Sequence, residues 1–152
     1  MDERYMRMAL DSAREAFRAG ETPVGCVIVR DGVVLAQARN RREELRDPTA
    51  HAEILAIRQA AEALKNWRLS GATMYVTLEP CPMCAGAISQ ARLSRLVFGA
   101  DDPGQGCAGS VYRIPEDPAF SSFCRIDAGV LREECRAVLD AFFAKVRELN
   151  RT

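Results

Sequence analysis

The stretch TMYVTLEPCPMC, residues 73–84, places two cysteines directly after an apolar run. Five of its first six residues are apolar or β-branched, which predicts a buried strand over 73–78. Pro82 suits the first position of a helix, because the backbone N–H at that position has no partner within the helix. We therefore expect a strand, a short turn and a helix, with Cys81 and Cys84 at the start of the helix.

The CxxC spacing of Cys81 and Cys84 has two interpretations in a cytosolic protein. At the start of a helix, residues i and i+3 lie on one face, close enough to bind a single ion. The unpaired backbone N–H groups and the positive end of the helix dipole favour thiolate over thiol there. The pair is either a thioredoxin-like redox couple or one half of a zinc site.

The stretch HAEILAI, residues 51–57, contains the only histidine of the chain and a glutamate two positions after it. A lone histidine is more often a core or surface residue than a ligand, but this one also opens a predicted helix. Two adjacent helix starts could present one nitrogen and two sulfurs to one zinc ion.

Three protein ligands leave the fourth tetrahedral position for water, as in catalytic zinc sites. Glu53 could exchange a proton with that water. The sequence therefore predicts one Zn²⁺ per chain, bound by His51, Cys81 and Cys84, with Glu53 as the catalytic residue.

The flanking patterns predict an α/β fold. Asp31-Gly32 between two apolar runs is typical of a hairpin, and Gly20 is a natural stop for the first helix. Asp47-Pro48-Thr49 is typical of a helix start. The predicted strands cover 24–29, 33–38, 73–78 and 95–100, and the later helices cover 47–64, 80–92 and the chain from 131 onward. With a fifth strand, this order predicts a three-layer α/β/α sandwich around a central mixed sheet.

Length and composition predict a single domain over residues 1–152. The 21 basic and 21 acidic residues cancel, so the chain as a whole has no attraction for nucleic acid or membrane, although local patches are possible. No apolar run approaches the roughly 20 residues that span a bilayer. We expect a cytoplasmic protein without a membrane span, whose six cysteines are reduced.

A histidine and glutamate in HxE followed by PCxxC form the sequence pattern of zinc deaminases. The chain resembles the cytidine/deoxycytidylate deaminase superfamily, and within it most of all the bacterial tRNA adenosine deaminases (the TadA family). The combination of HAEI with TLEPCPMCAGAI is highly specific for this branch. The matching stretches extend along nearly the whole chain and include ETPVGCVIV, DPTAHAEILAIRQA, NWRLSGATMYVTLEPCPMCAGAI and LREECRAVL.

The resemblance implies a cytidine deaminase-like fold and hydrolytic deamination of adenosine to inosine at the wobble position of a tRNA anticodon. It assigns zinc to His51, Cys81 and Cys84, whose bound hydroxide would attack C6 of adenine. Glu53 would protonate ring N1 and then the departing amine. The family acts as a homodimer, so an anticodon stem-loop lying across two subunits is the expected partner.

The substrate-binding residues follow from the same resemblance. Asn40 matches a family asparagine that contacts the flipped nucleotide, although it could also close the second strand as a left-handed turn residue. Val24 would line the base pocket, or be plain strand core. The possible RNA contacts form a positively charged loop that could equally be a solvated surface: Arg39, Arg41, Arg42 and Arg46.

The chain departs from the family pattern after its fourth predicted strand. Asp101 and Gly104 stand where the family commonly has basic residues, and residues 101–130 contain five acids against two bases. A phosphate-binding surface should have the opposite balance. This favours an alternative, a deaminase of a free nucleobase, nucleoside or nucleotide, such as guanine or another purine. A third interpretation is a zinc-stabilised binding protein with Cys107 as fourth ligand.

Overall fold

A five-stranded sheet forms the centre of the fold in the computed structural model, which describes residues 1–151. The strands are β1 Gly25–Arg30, β2 Val33–Arg39, β3 Thr73–Leu78, β4 Arg95–Ala100 and β5 Arg125–Ala128. They lie in the order β2-β1-β3-β4-β5. The first two pairings are antiparallel and the last two are parallel, so the predicted mixed sheet is confirmed.

Helices cover both faces of this sheet. They are α1 Asp2–Arg18, α2 Arg42–Leu45, α3 Ala52–Leu64, α4 Pro82–Gln90 and α5 Arg132–Leu149. The helices α1 and α5 pack on one face and against each other, and α3 packs on the opposite face with α4 beside it. The predicted α/β/α sandwich is therefore confirmed. Within residues 1–151, no helix has the length and apolar character needed to cross a bilayer.

Two glycines allow helices to approach the sheet closely. A Cβ at Gly25 would overlap the carbonyl oxygen of Ala9, so α1 rests directly on β1. A Cβ at Gly99 would overlap the sulfur of Cys135, so α5 rests in the same way on β4. Because glycine has no side chain, these two positions let the layer formed by α1 and α5 pack closely against β1 and β4.

The predicted hairpin between β1 and β2 is confirmed. Asp31 and Gly32 have φ angles of 51° and 75°, as a tight turn with two left-handed residues requires. Strand β1 is buried along nearly its whole length, because it pairs with β2 on one side and β3 on the other.

The expected helix start at Asp47-Pro48-Thr49 is wrong, because α3 begins at Ala52. The Asp47 carboxylate accepts hydrogen bonds from the backbone N–H and the hydroxyl of Thr49, at 2.8 and 2.7 Å. This is the chemistry of a helix cap used instead to form a turn. The helix expected over 80–92 likewise begins at Pro82, which does occupy its first turn.

The functional edge of the sheet is the one where β3 and β4 end. Their carboxyl ends lie side by side because the two strands are parallel. Strand β1 is antiparallel to β3, so it begins at this same edge, with Cys26 opposite Val76. In α/β folds, ligands bind beyond the carboxyl ends of the strands. Val24, the turn before α4 and the loop after β4 therefore converge there.

Candidate active site

Two helix starts bring together the predicted metal ligands. His51 immediately precedes α3, and Cys81 immediately precedes α4, with Cys84 one turn further along. Neither His51 nor Cys81 caps its own helix with its side chain, so both side chains are available to each other. The Nδ1 atom of His51 lies 3.7 Å from the Cys81 sulfur and 3.5 Å from the Cys84 sulfur. The three residues can hold one metal ion.

The electrostatics of this cluster favour a thiolate. The hydrogen bond from Cys84, followed by the contact with His51, lowers the pKa of Cys81 to about 4 against the opposing effect of burial. The same pairing with Cys81, together with burial, raises the pKa of Cys84. The contact with Cys81 raises the pKa of His51. The cluster thus carries at least one negative sulfur ready to bind a cation.

Glu53 lies in the first turn of α3 and is only 4% exposed. Its burial raises the pKa of its carboxyl above the ordinary value, against the opposing charge of His51. A raised pKa makes the carboxylate of Glu53 a better proton acceptor than that of an exposed glutamate. This is the property expected of a proton-transferring group.

A cavity of about 110 Å³ connects these residues. His51, Cys81 and Glu53 line it on one side. The remaining lining residues come from several segments of the chain: Thr22, Val24, Asn40, Arg42, Ala52, Leu78, Asp102 and Gln105. The structure therefore places both predicted substrate-binding residues, Val24 and Asn40, beside the metal cluster and Glu53.

Asn40 supports the loop that follows β2. Its Oδ1 accepts the backbone N–H of Arg42 at 3.1 Å, and its Nδ2 donates to the carbonyl of Thr22 at 3.4 Å. The alternative that Asn40 is a left-handed residue is wrong. The left-handed residue of this loop is Arg46, with a φ of 52°.

The four arginines of this loop separate into two pairs. Arg39 and Arg41 both form ion pairs with Glu44, at 2.8 and 2.6 Å, and neither lines the cavity. Arg42 lines the cavity, and both Arg42 and Arg46 are exposed with no carboxylate within 4.0 Å among the described residues. For the part of the chain that the structure describes, this leaves Arg42 as an unpaired cation at the cavity, and Arg46 as an unpaired, exposed cation four residues further along the chain.

Cys107 stands outside the metal cluster, although it is buried nearby. Its thiol donates to the carbonyl oxygen of Gln105 at 3.5 Å. The described residues thus bring three ligands together rather than four. This arrangement leaves a coordination position open, as a catalytic metal requires.

Five residues that line the cavity were not predicted from the sequence: Thr22, Ala52, Leu78, Asp102 and Gln105. Thr22 lies two residues before the predicted Val24, Ala52 lies between His51 and Glu53, and Leu78 is the last residue of β3. Asp102 and Gln105 belong to the loop after β4, which comes back over the site. The position of this loop after a parallel strand was the available indication, because such loops form the ligand sites of α/β proteins.

The sandwich, the three-ligand cluster and the buried glutamate together define a deaminase with the cytidine deaminase-like fold. The chain belongs to the MafB19-like deaminase family, whose model matches residues 1–147.

Similar proteins and solved structures support this assignment. The chain is 47% identical over 147 residues to the tRNA-specific adenosine deaminase of Bacillus subtilis (strain 168), a match covering 97% of this chain and 91% of that protein. A solved structure from a study of A-to-I editing by tRNA:A34 deaminases at the wobble position is also 47% identical. It covers 90% of this chain and 99% of its own, with a TM-score of 0.86. The resemblance to tRNA adenosine deaminases is confirmed.

A purine deaminase is also among the similar structures. The guanine deaminase of Bacillus subtilis is 41% identical, and the match covers 65% of this chain and 64% of that one, with a TM-score of 0.63.

Proposed function

We propose that this protein deaminates adenosine to inosine at the wobble position of a tRNA anticodon, by a zinc-dependent hydrolytic reaction. The observation that carries the proposal is a full-length match to tRNA adenosine deaminases in a chain whose cavity joins the His51, Cys81, Cys84 cluster to Glu53. An enzyme acting on tRNA would work where tRNA is found, which supports a cytoplasmic location.

The cluster fits zinc in both chemistry and spacing. One imidazole nitrogen and two thiolates form a common ligand set of catalytic zinc. For bonds of about 2.0–2.3 Å in a tetrahedron, ligand atoms are separated by about 3.6 Å. The His51 nitrogen lies 3.7 Å from the Cys81 sulfur and 3.5 Å from the Cys84 sulfur, which matches this separation. A zinc ion held there supplies the Lewis acidity that makes water nucleophilic near neutral pH.

Glu53 is proposed to carry the protons of the reaction. Hydrolytic deamination adds the oxygen of water at C6 of adenine and releases ammonia. The carboxylate of Glu53 takes one proton from the attacking water and delivers it to ring N1. It then takes the second proton from the oxygen added at C6 and delivers it to the amine, which leaves as ammonia while the C6 carbonyl forms. Burial suits this cycle, because the raised pKa lets the same carboxyl group take up and release a proton.

The acidic segment after β4 does not oppose RNA binding as its composition suggests. Asp101 pairs with Arg132, Glu116 with Arg113, and Asp127 with Arg95. Three of the five acids are thereby paired with arginines, two of which lie outside residues 101–130. Locally neutralised carboxylates repel a phosphate backbone far less than free ones, so the segment is compatible with an RNA partner.

The experiment that tests the proposal maps inosine in an anticodon stem-loop incubated with the protein. Inosine should form at the wobble position, and not when the adenosine is moved into the paired stem, because an unstacked loop base flips into the cavity at little cost. The Arg42→Ala/Arg46→Ala double variant should keep its zinc but lose activity, because it binds the stem-loop more weakly. The slope of log binding constant against log salt concentration should become shallower by about 1.4, or about 0.7 per phosphate contact.

The matched control replaces Arg4 and Arg14 by Ala on α1, on the opposite face of the sheet. This change should leave the salt dependence unaltered. Product at any loop adenosine without positional preference would contradict assignment to the wobble position, and equal effects of the two double variants would reject Arg42 and Arg46 as phosphate contacts.

A second candidate function is deamination of a free purine such as guanine. The structural similarity to a guanine deaminase favours it. In either case the reacting base would enter the same cavity, beside Glu53 and the metal cluster. The two functions differ in whether flanking nucleotides contact the surface outside the cavity. Comparing turnover of the anticodon stem-loop with turnover of a free purine distinguishes them.

We also propose that the protein acts as a homodimer. An open groove of about 570 Å³ runs between α3 and α4, with apolar residues that include Ile54, Ile57, Trp67 and Ala87. Trp67 is 54% exposed there. The neighbouring Ile88 and Leu93 are buried in the core of the chain and do not contribute to this surface, and Met83 is half-buried.

Light scattering at micromolar concentration should give the mass of two chains. Ala87→Arg, which places a charge in the groove, should shift the protein toward the monomer, since a buried unpaired charge is costly. Ala137→Arg on the exposed surface of α5 is the matched control and should remain dimeric. A monomeric wild-type protein would reject the proposal.

A further inference from the structure

Two buried glutamates are not used by the proposed chemistry. Glu21 and Glu79 are each 2% exposed, and neither lines the cavity. Neither forms an ion pair with a basic side chain of the described residues. A buried carboxylate without a cation is costly unless its oxygens accept hydrogen bonds. The identity of the donors therefore indicates what each carboxylate is for.

The donors to Glu79 come from the loop after β4. Its Oε1 accepts the backbone N–H of Asp102 at 3.0 Å and the hydroxyl of Ser110 at 2.5 Å. Its Oε2 accepts the backbone N–H groups of Ala108 and Ser110, at 3.0 and 2.9 Å. Every contact thus reaches one loop, which we call the β4 wall loop (residues 101–110).

The β4 wall loop rests directly on this carboxylate. A Cβ added at Gly106 would overlap the carboxylate atoms of Glu79, so a side chain there would displace the carboxylate from its hydrogen bonds. The backbone N–H of Cys107 also donates to the carbonyl of Pro80 at 2.8 Å, one residue before the metal ligand Cys81. Glu79, two residues before Cys81, therefore fixes where Asp102 and Gln105 lie relative to the metal site.

Glu21 has the same relation to the opposite side of the cavity. Its Oε1 accepts the backbone N–H of Glu43 at 3.0 Å, and its Oε2 accepts that of Glu44 at 2.7 Å. These amides belong to the segment that carries Asn40 and Arg42 and includes the short helix α2; we call this segment the β2 wall loop (residues 40–46). The side chain of Glu21 thus fixes this loop as Glu79 fixes the other.

We infer that Glu21 and Glu79 are positioning residues, which hold the two wall loops of the cavity at the separation that the substrate RNA requires. Their carboxylates accept backbone N–H groups and so fix loop geometry without touching the substrate. The metal ligands and Glu53 stand at the starts of α3 and α4, and none of them takes part in these hydrogen bonds. Loss of either carboxylate should therefore affect substrate binding more than the chemical step.

Hydrogen exchange measured by NMR on the zinc-loaded protein tests the structural half of this inference, which does not depend on the proposed function. Glu79→Gln replaces one acceptor oxygen by a donor. It should speed exchange at the amides of Asp102, Ala108 and Ser110 and leave those of Glu43 and Glu44 unchanged. Glu21→Gln should give the opposite pattern, so that each variant is the control for the other.

The kinetic half rests on the proposed function. Each variant should raise KM for the anticodon stem-loop by on the order of 10- to 100-fold, with a smaller change in kcat and full zinc content, because misplaced binding groups weaken alignment of the substrate. Ser110→Ala removes one of the four donors to Glu79 and should give a smaller rise in KM. Glu43→Gln changes an exposed carboxylate in the β2 wall loop and should have no effect.

Unchanged amide exchange in both variants would overturn the inference, and so would faster exchange without a rise in KM. If Glu79→Gln does not fold, Ser110→Ala and Glu21→Gln give the same two readouts. A wild-type protein inactive on the stem-loop would refute the proposed function, while localised exchange in these variants would still support the loop-holding role.

Discussion

Glu53→Gln should reduce turnover by at least 10²–10⁴-fold, the usual contribution of a general acid–base group, while the protein keeps its fold and its metal. The amide has nearly the shape of the carboxyl group but cannot carry a proton from water to the base and the leaving amine. The buried position of Glu53 at the cavity makes replacement by bulk water ineffective. Single-turnover rates on the anticodon stem-loop, with metal content measured in parallel, check this result.

Glu62→Gln is the matched control, because Glu62 lies on the same helix but is exposed and faces away from the cavity. Its activity should equal that of the wild type. Turnover of Glu53→Gln within about tenfold of wild type would be incompatible with a role in proton transfer.

His51→Ala and Cys84→Ser should each lose most of the bound zinc, since a site with two remaining protein ligands holds the ion weakly. The wild-type protein should contain one zinc ion per chain. Cys107→Ser should keep it, because the Cys107 thiol donates to a backbone carbonyl outside the cluster. Elemental analysis after gel filtration measures all four proteins directly.

The thermal midpoint supplies a second readout for the same variants. Zinc that binds the folded chain stabilises it, so chelation should lower the Tm of wild type and Cys107→Ser but change His51→Ala little. Zinc loss in Cys107→Ser would indicate a closed site with four protein ligands and would contradict a catalytic metal.

The sequence was sufficient to predict the parts of the site that stand at regular elements. A buried strand followed by CxxC and proline predicted both the position of β3 and the helix start that carries Cys81. The lone His51 gained its interpretation only in combination with that pattern. Spacing along one helix is local, so two ligands in one turn can be inferred before any tertiary contact is known.

The loops could not be predicted in the same way. Four arginines in one loop looked equivalent in the sequence, yet Arg39 and Arg41 are bound to Glu44, whereas Arg42 reaches the cavity. Asp47 offered the side-chain chemistry of a helix cap and used it in a turn instead. Such choices depend on tertiary contacts between segments distant in sequence.

The two positioning glutamates illustrate the same limit. Glu79 stands beside the CxxC motif, and its position after a strand gave no indication that it accepts hydrogen bonds from a loop 23 to 31 residues further along the chain. The acid-rich composition of residues 101–130 similarly suggested repulsion of RNA. The sequence could not show that Asp101 is paired with Arg132, because this pairing depends on the packing of α5 beside β4.

Whether the cavity serves an adenosine in RNA is tested by comparing kcat/KM for the anticodon stem-loop with kcat/KM for free adenine, adenosine and guanine. Contacts of the flanking nucleotides with the wall loops add binding that no free base can gain. We expect kcat/KM for the stem-loop to exceed that for each free compound by at least about 10²-fold, the loss that misplacement of a substrate typically causes. Equal or faster turnover of a free purine would contradict it.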